Sequence, residues 1–231
     1  MAKRPEPGAV KTRLVGPGGL DPEAAAQLSW AMLRCTAERL CAASAQVILA
    51  VSPDGCAGDV AEALDVQFTQ IVDQGAGDLG RRLERVWKIV GGEGRIAFFG
   101  VDTPDVPVTA LREIPHALAN HDLAVGPTKD GGYWTLAAGG FHPEVIRGID
   151  WGSDRVYDQT RQRAAEAGLA VYALPRWCDV DHPSDVEALS QRLEERLGSS
   201  PTGSVDERAL RRLAEQIIIL TKSTASPESS A

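Results

Sequence analysis

Apolar and polar residues alternate along this chain in blocks that predict helices and strands in turn. Longer blocks place apolar residues three and four positions apart, as at Leu79, Leu83, Val86 and Val90, which predicts amphipathic helices. Short apolar runs, such as RIAFFG at residues 95–100, predict buried strands. Strands that alternate with helices of this length indicate a mostly parallel sheet covered on both faces. We therefore predict an α/β fold, built as a three-layer α/β/α sandwich.

The pattern places these elements along most of the chain. The predicted helices are Asp21 to Ala43, a helical turn at Ala61 to Leu64, Gly77 to Val90, Val108 to Asn120, Ser153 to Ala167, Pro183 to Leu197 and Asp206 to Thr221. The predicted strands are Ala45 to Val51, Val66 to Gln70, Arg95 to Gly100, Leu123 to Gly126, Tyr133 to Ala138 and Ala170 to Leu174. Asp21 is predicted to cap the first helix, with Pro22 in its first turn.

Composition changes near the C-terminus, where GSSPTGS at residues 198–204 predicts a flexible linker. We predict one main domain at residues 1–197, a linker at 198–205, a C-terminal helix at 206–222 and a disordered tail at 223–231. A domain of this size can bury a core without disulfide bonds. The four cysteines have unrelated spacings, which favours reduced thiols in a cytoplasmic protein.

The charge of the chain limits the classes of partner. Its net charge is −8 and its pI is near 5.1, which argues against general nucleic-acid binding. It contains no apolar run long enough to form an integral membrane segment. These features are typical of a cytoplasmic protein with small-molecule partners, and they are compatible with a homo-oligomer.

The N-terminal segment, Met1 to Leu14, concentrates positive charge in this acidic protein. It carries Lys3, Arg4, Lys11 and Arg13, and its Pro-Glu-Pro-Gly run favours a loop. Lysine offers a compact charge and arginine a planar set of donors, so such a loop suits a phosphate chain. A solvated basic tail explains the loop equally well.

Two acidic motifs follow predicted strands. Asp102 lies at the carboxyl end of RIAFFG, where ligands bind in open α/β sheets. Asp179 and Asp181 follow the last predicted strand. Mg²⁺ is usually held by one or two carboxylates together with substrate phosphates, so both motifs suit a metal. Helix capping by Asp102, and an acidic start of the next helix at Asp181, are the alternatives.

Two glycine-containing segments are further candidates for ligand binding. Lys129 to Tyr133 has a Gly-Gly pair that allows close backbone approach to a ligand, while its Asp-Gly step is equally typical of a hairpin turn. Gln74 to Gly80 is a glycine-rich loop at the start of a predicted helix, and its amides could bind an anion. The second signal is weak, because the spacing matches neither a P-loop nor a dinucleotide fingerprint.

Six motifs in order resemble one bacterial family: KRPEPGAVKTRL, QGAGDLGRRL, GVDTPDVP, GPTKDGGYWTLA, WGSDRVYDQT and CDVDHPSDVEAL. The family comprises glycosyltransferase-like proteins of GT-A fold, in the nucleotide-diphospho-sugar transferase superfamily near the molybdenum-cofactor and phospholactate guanylyltransferases. The resemblance covers about residues 1 to 195. It implies a nucleotide site assisted by Mg²⁺ or Mn²⁺.

The resemblance also implies roles for individual residues. The phosphate-binding segment comprises Lys3, Arg4, Gly8, Lys11 and Arg13, and Gly77 and Asp78 are further candidates for nucleotide contact. Asp102 and Asp181 resemble the metal ligands, with Asp179 as a weaker candidate for the second position. Asp130, Gly131, Gly132 and Tyr133 resemble the acceptor or sugar loop. Lys11, Arg13 and Asp102 are the implied catalytic residues.

The implied activity is glycosyl transfer from a nucleotide-activated sugar to an unknown acceptor. Two alternatives remain: nucleotidyl transfer to a phosphorylated small molecule, as in the guanylyltransferases, or a non-catalytic nucleotide-binding domain. The family pattern begins with an apolar strand before the basic loop, and here that strand is apparently missing. Our hypothesis is that Met1 is not the natural start or that the strand has been lost, with Met1-Ala2 as its last residues.

Overall fold

The computed structural model describes residues 1–90, 94–198 and 203–224. Its strands are β1 (Ala2–Lys3), β2 (Ile48–Ser52), β3 (Gln70–Asp73), β4 (Ile96–Phe99), β5 (Leu123–Pro127), β6 (Tyr133–Ala138) and β7 (Val171–Ala173). Its helices are α1 (Pro22–Ala43), α2 (Ala57–Leu64), α3 (Leu79–Ile89), α4 (Val108–Ala117), α5 (Val156–Glu166), α6 (Pro183–Gly198) and α7 (Val205–Thr224). Short 3-10 helices lie at Thr12–Leu14 and Pro143–Ile146. This order confirms the predicted α/β class.

The chain divides into two compact units. Unit 1 consists of Met1–Arg4, Gln46–Gly100 and Val106–Asp179, and unit 2 of Pro5–Ala45, Val101–Asp105 and the described residues from Val180 onward. Unit 1 therefore contains β1 to β7 and α2 to α5. Unit 2 contains α1, α6 and α7, together with two loops that carry predicted site residues.

Unit 1 is built on two sheets. In the first, β1, β2 and β3 lie in that order and are parallel, as predicted. In the second, the order is β4-β6-β5-β7, and β6 runs antiparallel to both of its neighbours. The second sheet is mixed because a tight turn joins β5 directly to β6, whereas parallel strands need a longer crossover.

The second sheet is covered on both faces, as the three-layer prediction requires. On β5, Leu123 and Val125 belong to a core cluster with Trp87 of α3 and Ala164 of α5. The residue between them, Ala124, belongs instead to a cluster formed with α4. Successive residues of a strand point to opposite faces, so this alternation fixes one helical layer on each side.

Most limits differ from the predictions by a few residues, and three elements differ in kind or place. The first strand is present as two residues, Ala2–Lys3, which pair with β2. The third strand is Gln70–Asp73, not Val66 to Gln70, because its β-branched pair Ile71-Val72 continues the ladder with β2. The helical turn predicted from Ala61 is the end of a full helix that begins at Ala57.

Unit 2 is a helical cluster. Asp21 caps α1 by accepting a hydrogen bond from the Ala24 amide at 2.7 Å, as predicted. The predicted apolar stripe of α7 is buried against α1 and α6: Leu210, Leu213, Ile217 and Leu220 are each at most 5% exposed. Each fully buried side chain of this type contributes roughly 1.5–3 kcal/mol. The stripe therefore explains why this helix docks on unit 2.

Parts of the predicted linker and tail lie outside the described residues, namely 199–202 and 225–231. Within the described residues, no helix is long and apolar enough to cross a membrane. The four cysteines are free thiols, as predicted.

Candidate active site

From Pro5 onward the basic N-terminal loop belongs to unit 2. Its last residue, Leu14, anchors the loop in the core of that unit. The Leu14 side chain is fully buried in the core of unit 2, and its carbonyl accepts a hydrogen bond from the Leu20 amide at 2.8 Å. Just before the 3-10 helix, Lys11 adopts a left-handed conformation with φ 48° and ψ 37°. A lysine in this region is strained by about 1–2 kcal/mol, so other contacts must hold it there.

Those contacts are made by the Lys11 ammonium. Its Nζ donates to the carboxylate of Asp102, to Val180 O at 2.6 Å and to Asp181 Oδ1 at 3.0 Å. The Lys11 side chain is only 8% exposed. We call Lys11, Asp102, Val180 and Asp181 the Lys11 cluster. The structure thus brings together a predicted phosphate-binding lysine and both predicted metal ligands, all within unit 2.

Backbone contacts bring the two acidic segments of the cluster together. The Val180 amide donates to Asp102 O at 3.0 Å, so the segment before α6 lies beside the loop after β4. The N-cap of α4 is Pro107, five residues beyond Asp102, so the capping alternative does not explain this carboxylate. At α6, Asp185 accepts hydrogen bonds from the Asp181 and His182 amides at 3.0 and 2.7 Å. Asp185 therefore performs the helix-start role, and the Asp181 carboxylate is turned to the cations.

Opposing effects act on the pKa of Lys11. Burial is the largest, and alone it would lower this pKa. The charges and hydrogen bonds of Asp102 and Asp181 together outweigh burial, so the pKa of Lys11 is raised. Lys11 therefore stays an ammonium at neutral pH.

Arg13 is an exposed member of the basic loop. Its guanidinium lies 3.5 Å from Asp181 Oδ2, and 68% of its side chain is exposed. Lys3 and Arg4 belong to unit 1, where Arg4 pairs with Asp59 at 3.4 Å. Gly8 has φ +73°, a conformation that favours glycine.

The glycine-rich loop of unit 1 is tied down by arginines that the sequence reasoning missed. Arg85 donates to Gln74 O at 2.6 Å and to Ala76 O at 3.0 Å, and Arg82 donates to Gly77 O at 2.8 Å. The signal in the sequence was the pair of arginines within the first two turns of α3, in QGAGDLGRRLER.

At the end of this loop, Asp78 caps α3 by accepting from the Arg81 amide at 2.8 Å. The carboxylate of Asp78 thus already lies at the helix N-terminus, where the sequence reasoning expected an anion. Gly77 has φ +112°, a backbone conformation that favours glycine.

The segment from Asp130 to Tyr133 forms the hairpin turn between β5 and β6. Asp130 stabilises the turn by accepting from the Gly132 amide at 3.0 Å. Gly131 has φ +89°, and a Cβ there would lie 1.9 Å from Asp154 O, so only glycine fits. A carboxylate oxygen of Asp130 lies within 4.8 Å of one on Asp179, also in unit 1. The hydroxyl of Tyr133 is buried, which raises its pKa.

The chemistry of the Lys11 cluster fits a hard divalent cation. Two carboxylates and a main-chain carbonyl already surround one positive charge, the Lys11 ammonium. Oxygen ligands of this kind are those that Mg²⁺ and Mn²⁺ prefer. Asp102 and Asp181 are 49% and 29% exposed, so both can be reached from solvent.

The α/β fold of the chain matches that of a solved bacterial structure. A crystal structure from Desulfovibrio desulfuricans G20, described as a "putative nucleotide-diphospho-sugar transferase", matches with a TM-score of 0.75 and 30% sequence identity, over 94% of each chain. Residues 35–153 match a family described as "Uncharacterized protein conserved in bacteria (DUF2064)". A comparison with curated proteins gave no match.

The chain therefore belongs to the DUF2064 family, which confirms the resemblance to bacterial glycosyltransferase-like proteins.

Proposed function

We propose that this protein is a metal-dependent transferase that moves a glycosyl group from a nucleotide-diphospho-sugar to an acceptor. The observation that carries the proposal is the Lys11 cluster, in which the carboxylates of Asp102 and Asp181 both contact one cation, the Lys11 ammonium. The transferase-like fold and the description of the Desulfovibrio structure support the class of donor.

Asp102 and Asp181 are the residues that would hold Mg²⁺ or Mn²⁺. Bound there, the metal would stabilise the negative charge that develops on the leaving nucleoside diphosphate. Arg13 is placed to contribute beside it, because its exposed guanidinium lies next to Asp181 and can bind phosphate oxygens in a bidentate manner.

Lys11 has two roles in this proposal, one before and one after the donor binds. Without a donor, its ammonium neutralises Asp102 and Asp181 and holds them together. A divalent ion held by Asp102 and Asp181 would compete with the Lys11 ammonium for these carboxylates, since two cations in contact repel each other. The Lys11 ammonium would then be available to neutralise a donor phosphate. This exchange reconciles the predicted phosphate role of Lys11 with its burial.

The remaining predicted contacts belong to unit 1 and are proposed for that unit by itself. Gly77 and Asp78 lie beyond the carboxyl end of β3, and ligands of open α/β sheets bind at such ends. The turn from Asp130 to Tyr133 would contact the sugar or the acceptor.

Calorimetric titration with UDP-sugars and GTP, with and without Mn²⁺, tests the proposal. The wild-type protein is expected to bind a donor only with metal, and Asp102→Asn to abolish that binding. Asp150→Asn is the matched control, because the Asp150 side chain is 54% exposed, close to the 49% of Asp102, and pairs with a cationic residue, Arg155, in unit 1. Donor binding that is indifferent to both metal and Asp102→Asn would refute the metal site. Transfer of the sugar supports the glycosyl route, whereas release of pyrophosphate from GTP would establish nucleotidyl transfer instead.

A further inference from the structure

Charged residues of three helices, α1, α6 and α7, form a hydrogen-bonded network with the loop that carries Asp102. Asp105, at the end of this loop, is 2% exposed. It accepts two hydrogen bonds from Arg192 of α6, at 2.7 and 3.3 Å, and its carbonyl accepts one from Arg196 at 3.1 Å. The neighbouring carbonyl, Pro104 O, accepts a hydrogen bond from Arg39 of α1. Both main-chain carbonyls that follow Thr103 are thus fixed by arginines.

Asp206, near the start of α7, joins two of these arginines. One carboxylate oxygen accepts from Arg39 Nε at 2.7 Å and the other from Arg196 at 2.8 Å. Arg39 is 4% exposed, and the carboxylate side chain of Asp206 is 20% exposed. We call these five residues the Asp206 clamp: Arg39, Asp105, Arg192, Arg196 and Asp206. All of them belong to unit 2.

A network of this kind fixes the positions of the groups that it joins more than it raises the free energy of unfolding. A buried ion pair contributes little net stability compared with apolar packing, since desolvation of the charges offsets their attraction. Its directed hydrogen bonds nevertheless hold the groups they join in one geometry. Without Asp206, Arg39 and Arg196 would be two like charges close together without their shared counter-ion. Burial and the charge of Arg39 already lower the pKa of Arg196.

We propose that Asp206 is a positioning residue for Asp102, acting through Arg39 and Arg196 on the loop from Val101 to Asp105. The inference rests on the proposed function in assigning Asp102 to a metal. It gives α7 a purpose beyond packing: the helix supplies the charge that orients the arginines behind the candidate metal ligand.

Three variants test the inference. Asp206→Asn keeps the shape of the side chain and removes its charge, and Asp206→Glu restores the charge. Glu38→Gln is the matched control, because Glu38 precedes Arg39 on α1 and also pairs with an α7 arginine, Arg212. That pair joins the same two helices, but neither of its residues is a member of the clamp.

Two readouts are needed for each variant. Mn²⁺ affinity is measured by calorimetry and by the electron paramagnetic resonance signal of unbound Mn²⁺. Hydrogen exchange of the Val180 amide reports the loop directly, because this amide donates to Asp102 O. The melting temperature of each variant shows how much of any change is a general loss of stability.

The Asp206→Asn variant loses a charge-assisted hydrogen bond. We therefore expect it to bind Mn²⁺ about tenfold more weakly than the wild-type protein, and its Val180 amide to exchange faster by a similar factor. Asp206→Glu should recover part of both, and Glu38→Gln should change neither. Equal effects of Asp206→Asn and Glu38→Gln, or none from Asp206→Asn, would overturn the positioning role. If the wild-type protein binds no Mn²⁺, the proposed metal site fails, and unchanged Val180 exchange in Asp206→Asn would separately disprove the clamp.

Discussion

Replacing Lys11 with methionine tests whether the Lys11 ammonium competes with a metal ion for Asp102 and Asp181 or only stabilises the site. The change keeps an unbranched side chain of similar length and removes the ammonium that Asp102 and Asp181 share. Because Lys11 occupies the position between the proposed metal ligands, its removal is expected to tighten Mn²⁺ binding. A lysine that only stabilised the active site would give the opposite result.

The magnitude follows from the geometry of the cluster. Opposite charges 3.0 Å apart attract by about 5 kcal/mol at an effective dielectric constant of about 20. The carboxylates of Asp102 and Asp181 are 49% and 29% exposed, so solvent screening reduces the net term to about 1–2 kcal/mol. A metal that no longer displaces this ammonium should bind about 5- to 30-fold more tightly. The same loss should destabilise the metal-free protein by about 1–2 kcal/mol, since the two carboxylates remain without it.

Mn²⁺ titration of wild type and Lys11→Met, followed by donor titration at saturating Mn²⁺, is the assay. Tighter Mn²⁺ binding combined with weaker donor binding is the expected signature, because the variant also lacks the ammonium proposed to reach the donor phosphate. Lys88→Met is the control, since Lys88 is an exposed lysine that pairs with Glu84 in unit 1. Unchanged or weaker Mn²⁺ binding by Lys11→Met would refute the exchange of cations.

Three further predictions concern stability and are measured by urea unfolding. Asp21→Ala removes the cap that accepts from the Ala24 amide and should cost about 1 kcal/mol; an unchanged midpoint would show that α1 does not depend on this cap. Leu213→Ala creates a cavity under α7 at a site that is 1% exposed and should cost about 2–5 kcal/mol, whereas a cost below 1 kcal/mol would mean that the helix is weakly docked. Hydrogen bonds from Arg147, and secondarily from a lysine, lower the pKa of Glu84 to about 2 from 4.5. Wild type should therefore exceed Glu84→Gln in stability above pH 4.5, and this advantage should disappear as the pH falls towards 2. A difference that is constant over this range would contradict the lowered pKa.

Local patterns predicted most helices and strands correctly, but they misplaced elements whose limits depend on neighbours. The cap at Asp21 and the limits of β6, Tyr133 to Ala138, were predicted correctly because they depend on nearby residues. The third strand was placed too early, since its limits are set by pairing with β2 and not by its own composition. The antiparallel direction of β6 agrees with the hairpin alternative, which the Asp-Gly step before this strand left equal to a ligand-binding loop.

The candidate site likewise combines residues that local patterns predicted with contacts that only the structure shows. Strand ends and charge predicted Asp102, Asp181 and Lys11 individually as candidates, and the structure adds that one ammonium contacts both carboxylates. The sequence offered no comparable signal for Asp206 or Arg39, because a buried charged residue in a helix has the same local pattern as an exposed one.

The sequence by itself determined the fold class, the order of helices and strands, and the residue types available for phosphate and metal chemistry. These follow from periodicity and from chemistry at single positions, which are local properties. Only the tertiary structure decided that Lys11 meets Asp181, 170 positions away, and that Asp206 of α7 binds the two arginines that contact the loop carrying Asp102. Such contacts depend on how distant segments pack, and local periodicity carries no information about that packing.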